Sequence, residues 1–307
     1  MAASTPSSPP DLEVVRHRLG KVGVWSMLAG LASASAERQV AVAVEQLGYG
    51  AFWFGEGPVG KEAFTHAATL LACTERIQVA TGIANVYARD PVAAANGAAT
   101  LADAWPGRFV LGLGVSHAPL VTTRGHDYGK PVSTMRSYLD AMDAARFGPP
   151  LPEAPPRLLA ALRPKMLELA RTRGQGAHTY FATPEHTARA RTALGEEPIL
   201  AVELAVVVDT DPASARAAAR KYAAMYLALP NYQNHLRELG FTDADLEGEG
   251  SDALIDAVVP WGDPDTIAER VRAHHEAGAD HVCVQPIADT IEEQTEHLRV
   301  LAPGLTT

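Results

Sequence analysis

The sequence predicts an α/β fold in which eight parallel strands, each followed by a helix, close into one (β/α)8 or TIM barrel. Short apolar runs alternate with longer helical segments almost to the end of the 307-residue chain. Several of these runs are continuously apolar, which is typical of parallel strands covered on both faces. A count of eight strands in alternation with helices favours a closed barrel over an open Rossmann-type sheet.

The predicted strands are short and rich in β-branched, aromatic and small apolar residues. They are, in chain order, Val22–Trp25, Ala51–Phe54, Ile77–Thr81, Phe109–Leu113, Leu158–Ala161, Ala177–Phe181, Ile199–Val208 and His281–Gln285.

The helical segments between these runs show both a period and a start signal. Val40, Val44 and Leu47 recur at helical spacing before Gly48, which stands where a C-terminal cap belongs. Met135, Leu139 and Met142 repeat the period after Pro131. Four helix starts place a capping side chain directly before a proline, a favoured first helical residue. These junctions are Asp90-Pro91, Thr183-Pro184, Asp211-Pro212 and Asp263-Pro264.

The domain organisation predicted is a disordered N-terminal tail over residues 1–17 and a single barrel domain over residues 18–303. Residues 147–157 form a proline-rich linker before the fifth strand. Residues 230–262 form an insertion between strands seven and eight. Insertions at that end of a barrel usually shape the pocket. The acidic loop Asp243–Asp252 within it is either a pocket wall or a surface excursion.

Composition limits the partners and the compartment. The formal net charge of −10 argues against a nucleic acid or an anionic membrane surface as partner. No apolar stretch approaches the roughly 18 residues of a membrane span, and the N-terminus lacks the features of a signal peptide. We therefore expect a cytoplasmic protein. Cys73 and Cys283 are expected to be buried small hydrophobes rather than a disulfide.

The familiar catalytic and binding motifs fail in this chain. Gly112-x-Gly114 is followed by His117 where a dinucleotide fingerprint needs its third glycine. No Walker loop, G-x-S-x-G elbow, HExxH or clustered Cys/His spacing occurs, so no metal site is predicted. The strand ends, where a barrel carries its active site, are instead rich in glycine and small residues. Such a lining suits a large flat ligand approached by backbone.

Four side chains at these strand ends have two interpretations each. Glu56 is a pocket acid or an exposed loop acid. His117 is a proton donor or cofactor contact, or a histidine that caps the next helix. Trp25 is a stacking wall of the pocket or part of the core. Arg163, before Pro164 at a helix start, binds a phosphate or lies on the surface.

Longer segments resemble the luciferase-like monooxygenase superfamily, and most closely its actinobacterial branch that uses the deazaflavin coenzyme F420. The resemblance covers about residues 18–300 and is carried chiefly by TGIAN and PGRFVLGLGVSH. Further segments agree: AVAVEQLGYGAFWFGE, YGKPVSTMRSYLDAM, LLAALRPKMLELA, GAHTYFATPEHT and WGDPDTIAERVRAHHEAGADHVCVQ. It implies a bacterial-luciferase-like barrel, a flavin-type cofactor and, by analogy, a homodimer.

The resemblance also implies site residues. A non-prolyl cis peptide after the third strand, at Gly82-Ile83, would face the cofactor ring. The remaining cofactor-binding residues implied are Ala84, Asn85, Gly114, Ser116, Ala161, Leu162, Arg163, Tyr180 and Thr183, with Ala161 to Arg163 forming a phosphate cradle. Trp25 and Gln285 would orient the substrate.

One departure limits the substrate. Some sugar-phosphate dehydrogenases of the superfamily carry Asp-His at the end of the second strand, where this chain has Gly55-Glu56. A sugar phosphate is therefore not expected. The leading hypothesis is an F420-dependent oxidoreductase that transfers a hydride between the deazaflavin C5 and a small organic molecule, with Glu56 or His117 handling the proton. The alternatives are a two-component monooxygenase that uses reduced FMN and a barrel that binds cofactor without catalysis.

Overall fold

The computed structural model describes residues 9–306, and its centre is a closed barrel of parallel strands. The sheet order is β3-β2-β1-β9-β8-β7-β6-β5-β4, and β3 also pairs with β5, which closes the barrel. The predicted fold class is therefore confirmed. The strands are β1 (Val22–Trp25), β2 (Ala51–Phe54), β3 (Gln78–Thr81), β4 (Ala84–Asn85), β5 (Phe109–Gly114), β6 (Arg157–Ala160), β7 (Gly176–Thr179), β8 (Ile199–Val206) and β9 (His281–Pro286).

Each of the eight predicted runs overlaps a strand, so β4 is the one unexpected strand in the described residues. Strand β4 has only two residues and continues the pairing with β5 that β3 begins. The third barrel strand is thus broken in two, and the break lies at its C-terminal end.

Helices surround the barrel, and the predicted start signals are confirmed. The side chains of Asp90, Thr183, Asp211 and Asp263 each accept a hydrogen bond from a first-turn amide. The helices are α1 (Leu12–Leu19), α2 (Leu28–Leu31), α3 (Ala34–Gln46), α4 (Ala63–Ala72), α5 (Pro91–Ala104), α6 (Ala118–Thr123), α7 (Pro131–Asp143), α8 (Pro164–Arg173), α9 (Pro184–Leu194), α10 (Pro212–Leu227), α11 (Pro230–Leu239), α12 (Asp243–Leu246), α13 (Asp252–Val258), α14 (Pro264–Glu276) and α15 (Ile291–Leu305). None of these described helices combines the length and apolarity that crossing a membrane requires.

The N-terminal boundary needs a correction. The prediction of a disordered tail over residues 1–17 is wrong for residues 12–17, which belong to α1; residues 1–8 lie outside the described part of the chain. Asp11 caps α1 through its side chain, and Val15 and Leu19 are buried against residues of the barrel interior. The apolar spacing of Val15 and Leu19, one helical turn apart, is the signal that the sequence reading missed.

Three apolar clusters hold the barrel and the insertion together. One lies between the strands and the surrounding helices, and a small cluster of large side chains that includes Trp25 and Trp53 fills the barrel interior. A further cluster joins α10, α11 and α13 to the ends of β7 and β8. Cys283 is buried, as expected, whereas Cys73 is only partly buried; both are free thiols.

The insertion between β8 and β9 is confirmed and consists of α11, α12 and α13. Its acidic loop is tied to α10, because Asp252 forms ion pairs with Arg216 and Arg220. Thr242 and Asp245 form a capping box that begins α12. These contacts describe how the acidic loop is held; they assign it no role in a pocket.

Candidate active site

The break between β3 and β4 forms a bulge at the mouth of the barrel. The ladder between β3 and β5 ends at Ala80↔Val110, and pairing resumes at Ala84↔Leu113. Across the gap the Thr81 hydroxyl donates to Gly112 O at 2.8 Å and accepts from Gly112 N at 2.9 Å. A side chain thus replaces the missing main-chain bonds. The Gly82-Ile83 peptide in the bulge is cis, as the resemblance implied.

Neighbouring strands hold the main chain of the bulge from below. Gly82 N donates to Phe54 O at 2.7 Å, and Trp25 Nε1 donates to Gly82 O at 3.0 Å. Ile83 O accepts from Glu56 N at 3.2 Å. Every main-chain polar group of Gly82 is therefore paired, and the bulge is fixed.

Glycines keep side chains away from this bulge. A Cβ atom at Gly82 would lie 2.7 Å from Trp25 Nε1, and one at Gly114 would lie 2.5 Å from Ile83 Cγ1. A Cβ atom at Gly55 would lie 3.1 Å from the Trp25 ring. Real Cβ atoms do not approach neighbours as closely as the first two, so backbone alone fits there. The strand mouth presents a surface of main chain and one aliphatic side chain, Ile83.

A buried aromatic layer lies directly beneath the bulge. Trp25 is buried, so the structure places it in the core under Gly82 and beside Tyr180, whose ring centroid is 5.3 Å away. His178 is also buried and stacks on Trp53 at 4.7 Å. Burial lowers the pKa of His178 to about 3, although the backbone of Ala201 acts to raise it. His178 is therefore neutral and gives the bulge an uncharged floor.

The Glu56 carboxylate is bound by other residues of the chain. Its carboxylate accepts from Asn85 N at 2.8 Å and Ala63 N at 3.2 Å, and it forms a buried ion pair with Arg89. Burial acts to lower the pKa of Arg89, but hydrogen bonds and charges from Glu56 and Glu62 raise it on balance. Glu56 thus links β4 to the start of α4, and its oxygens already have three partners.

His117 begins α6 at the end of β5, but its side chain makes no capping hydrogen bond. Its ring instead lies against the insertion, with a centroid distance of 5.6 Å to Tyr232. Burial lowers the pKa of His117, and the Asn231 side chain opposes that shift. The capping alternative is excluded, and a neutral histidine at the barrel mouth remains.

The expected phosphate cradle lies under the insertion helix α11. The Arg163 guanidinium donates to Glu238 of α11 with Nε at 3.0 Å from Oε1. The Glu238 carbonyl accepts from Arg189 on α9. No side chain caps the N-terminus of α8, whose N-cap residue is Arg163 itself. A carboxylate therefore lies against the arginine that was expected to bind phosphate.

A cluster of hydroxyls lies beside Trp25. Tyr180 Oη donates to Gln285 Oε1 at 3.0 Å, and it lies 2.8 Å from Tyr226 Oη. Tyr222 Oη donates to Tyr180 Oη at 3.0 Å. Tyr180 and Gln285 were predicted from the sequence as site residues. Tyr222 and Tyr226, which lie one helical turn apart on α10, were not.

The buried acid Glu203 completes this cluster and was also missed. It lies on β8, is fully buried, accepts from Phe181 N at 3.2 Å and lies 3.4 Å from Tyr222 Oη. Burial raises its pKa to about 8 against the opposing hydrogen bonds. A lone acid inside the continuously apolar run Ile199–Val206 was the available signal.

The remaining expected cofactor residues have identifiable local roles. Ala84 pairs with Leu113, and Asn85 Oδ1 accepts from Tyr87 N at 2.9 Å. Ser116 has a positive φ of 56°. Three others shape the strand ends around α8 and α9: Ala161 N donates to His178 O, Leu162 O contacts His186 Nε2, and Thr183 caps α9.

Some of the predicted site residues lie together in the structure, and others lie apart from them. Trp25, Gly82 and Tyr180 are in contact, and they extend to Ile83 with Gly114 on one side and to Gln285 on the other. Arg163 and Thr183 mark the neighbouring ends of β6 and β7. Two surface grooves lie elsewhere. One, of about 510 Å³, is lined by the 260–263 loop and α14, and the other, of about 390 Å³, mainly by α5 with the 147–157 linker.

Comparison with known proteins decides the family. The sequence profile described as luciferase-like monooxygenase matches residues 19–281. The chain belongs to the luciferase-like monooxygenase family. A Mycobacterium tuberculosis protein, Rv3520c, provisionally named a coenzyme F420-dependent oxidoreductase, is 31% identical to this luciferase-like protein over 121 residues. That alignment spans 39% of this chain and only 33% of the relative.

Solved structures agree on the fold of this luciferase-like protein. The coenzyme F420-dependent tetrahydromethanopterin reductase of Methanopyrus kandleri superposes with a TM-score of 0.76 at 18% identity, covering 93% of this chain and 99% of its own. A type II Baeyer–Villiger monooxygenase, the oxygenating constituent of the 3,6-diketocamphane monooxygenase of Pseudomonas putida, in complex with FMN, has a TM-score of 0.70 at 15% identity, covering 93% and 97%. One barrel thus serves both cofactor types.

Proposed function

We propose that this family member is an F420-dependent oxidoreductase that transfers a hydride between the deazaflavin C5 and a small organic substrate. The observation that carries the proposal is the glycine-lined bulge at Gly82-Ile83. Its polar groups are fixed from below and its upper face is backbone and Ile83, which suits one face of a flat tricyclic ring. The bound deazaflavin would supply the two-electron chemistry, and the protein would supply position and proton control.

The residues around the bulge fit the rest of such a cofactor. Asn85 and Ser116 flank the bulge on β4 and after β5, where a ribityl chain would run. The Ala161–Leu162–Arg163 turn leads into α8, whose uncapped amides and arginine suit a phosphate group. The provisional name of Rv3520c favours F420 among tricyclic cofactors.

We assign different roles to the two proton-transfer candidates. Glu56 has three partners in the chain, so we propose that it positions the bulge through Asn85. His117 is neutral at ordinary pH and stands between β5 and α11, so we propose that it contacts the bound ring system. Trp25 supports the bulge, and Gln285 faces the substrate from β9.

A parallel fluorescence titration with oxidised F420 and with FMN tests the cofactor proposal. We expect saturable micromolar binding of F420 and weaker binding of FMN. Gly114→Ala should weaken F420 binding because its Cβ displaces Ile83, whereas Gly148→Ala, which meets no atom within 4 Å, should not. FMN binding with no F420 binding, together with oxygen consumption by reduced FMN, would replace the proposal with a flavin monooxygenase.

A further inference from the structure

The cluster of Glu203, Tyr222, Tyr180 and Gln285 has an arrangement that the expected cofactor contacts do not explain. It begins at a fully buried carboxyl on β8 and ends at Gln285 on β9, beside Trp25. Trp25 in turn holds Gly82 of the bulge. The cluster therefore lies one side chain away from the surface on which we place the cofactor ring.

The hydrogen bonds of this cluster can be assigned in one direction, from Glu203 toward Gln285. Phe181 N donates to one oxygen of Glu203, and the other oxygen faces the Tyr222 hydroxyl. Tyr222 donates to Tyr180, and Tyr180 donates to Gln285 Oε1. The Gln285 oxygen accepts and cannot pass a proton on, so Tyr180 is the last proton-bearing oxygen of the chain.

The surroundings of Glu203 hold it neutral. The titratable groups that face it are Tyr222, Tyr180, Tyr226 and Tyr232, together with the Cys283 thiol on β9. No basic side chain contributes to its environment within the described residues. A carboxylate there would be buried without a counter-charge, which is costly, and burial raises the pKa of Glu203 to about 8. Tyr222 keeps part of its side chain exposed, and its hydroxyl lies within the cluster, between Glu203 and Tyr180.

We propose that Glu203 is the proton reservoir of the site and exchanges its proton with a substrate oxygen through Tyr222 and Tyr180. The proposal rests on the proposed function and names its substrate class, a ketone or aldehyde and the matching alcohol. In the reductive direction a bound reduced deazaflavin would supply the hydride to the carbonyl carbon and be oxidised. The Tyr180 proton leaves Gln285 Oε1 and joins the carbonyl oxygen as the Tyr180 O–H bond breaks. Tyr222 reprotonates Tyr180, Glu203 reprotonates Tyr222, and a proton from solvent returns to Glu203 along the same hydroxyls. The oxidative direction reverses each transfer.

Tyr180 is then the catalytic residue. Tyr222 and Glu203 act on the substrate through Tyr180. The bond from Tyr180 to Gln285 also fixes the Gln285 amide with its oxygen toward the tyrosine. Its Nε2 then donates to no residue in the described part of the chain and is available to a substrate oxygen. Gln285 Nε2 would donate to that oxygen, and Tyr180 Oη would donate to it once the Tyr180 proton turns from Gln285 Oε1 to the substrate.

Infrared difference spectroscopy of the cofactor-free protein tests the reservoir. We expect a protonated-carboxyl band at pH 7 that Glu203→Gln removes, that fades as the pH rises past about 8, and that Tyr222→Phe shifts. The exposed control Glu168→Gln should leave it unchanged. The proposal is overturned if no such band belongs to Glu203 at pH 7, or if Tyr222→Phe leaves the band in place.

A chromophoric phenol, 4-nitrophenol, tests the transfer without any cofactor. At a pH where the free probe is mostly phenolate, binding to the wild-type protein should convert it to the neutral phenol, with loss of phenolate absorbance. Tyr180→Phe and Glu203→Gln should abolish that conversion, and F420 should still bind Glu203→Gln as it binds the wild type. Equal conversion in Glu203→Gln, or no saturable binding to the wild type, overturns the proposal. A wild type that converts the probe but does not bind F420 would refute the proposed cofactor alone.

Discussion

The hydroxyl of Thr81 does the work of a main-chain pairing at the point where β3 leaves β5. Both of its hydrogen bonds go to Gly112, and all of these groups are buried. Thr81→Val keeps the shape of the side chain but leaves the Gly112 N–H and carbonyl unpaired. We expect the free energy of unfolding to fall by about 1–3 kcal/mol. Urea denaturation measures it, and the exposed Thr100→Val serves as control, with an expected change within about 0.5 kcal/mol. Equal effects at the two sites would contradict the bridging role.

Glu203 gives stability a pH dependence whose sign is defined. Its pKa is raised from 4.5 to about 8 in the folded chain, so the folded state keeps a proton that the unfolded state releases. The stability contributed by the neutral acid is complete below about pH 4.5 and is lost as the pH rises toward about 8. Gln cannot titrate, so Glu203→Gln should gain stability relative to the wild type across this window. Denaturation at pH 5 and pH 8 measures the difference; a constant difference would mean that Glu203 is ionised throughout.

For single residues, the sequence predicted where a side chain lies better than it predicted what that side chain does. Trp25, Gly82, Tyr180 and Gln285 do meet at the mouth, because the ends of parallel barrel strands converge whatever their spacing in sequence. The partners of Glu56 could not be predicted from the sequence, because only the fold brings Ala63, Asn85 and Arg89 around it. Glu203 was visible as an acid in an apolar run, but its depth depends on which face of β8 points inward.

Among the elements, α11 is the one that joins the insertion to the strand ends. It brings Tyr232 to His117, and it brings Glu238 to Arg163 and Arg189. The sequence predicted extra helices here but not their contacts, since those depend on how α10 directs the chain back over the barrel. The broken third strand was unpredictable for a similar reason: Thr81 bonds to Gly112, 31 residues away.

The pair of Glu238 and Arg163 predicts competition at the proposed phosphate site. Both side chains are about half exposed, so their pairing is weak and open to exchange. Glu238→Gln should strengthen binding of F420, and of inorganic phosphate as the simplest probe, by on the order of two- to fivefold. The matched control is Glu168→Gln, which removes the partner of Arg171 further along α8. Fluorescence titration at low salt measures the change. Unchanged affinity in Glu238→Gln would place the phosphate away from Arg163.

At the scale of the whole molecule, the insertion and α1 close opposite regions of one barrel. Helix α11 contacts the ends of β5, β6 and β7 at the mouth, while α1 packs Val15 and Leu19 into the interior cluster that contains Ala51, Ile199 and Cys283. Arg16 ties α1 to Asp280, which also pairs with Arg191 of α9. Helix α1 is thus a structural part of the barrel.

This closure predicts that damage to α1 lowers the stability of the entire barrel. Leu19 is fully buried, so Leu19→Ala leaves a cavity against the barrel interior and should cost about 2–5 kcal/mol of the free energy of unfolding. Leu31, which is largely exposed, provides the matched control, and Leu31→Ala should change stability by less than about 0.5 kcal/mol. Thermal unfolding followed by circular dichroism and by tryptophan fluorescence measures both variants. Because Trp25 and Trp53 lie in the cluster that Leu19 contacts, the two signals should shift together in Leu19→Ala. An early transition that only circular dichroism detects would mean instead that α1 detaches while the barrel stays folded.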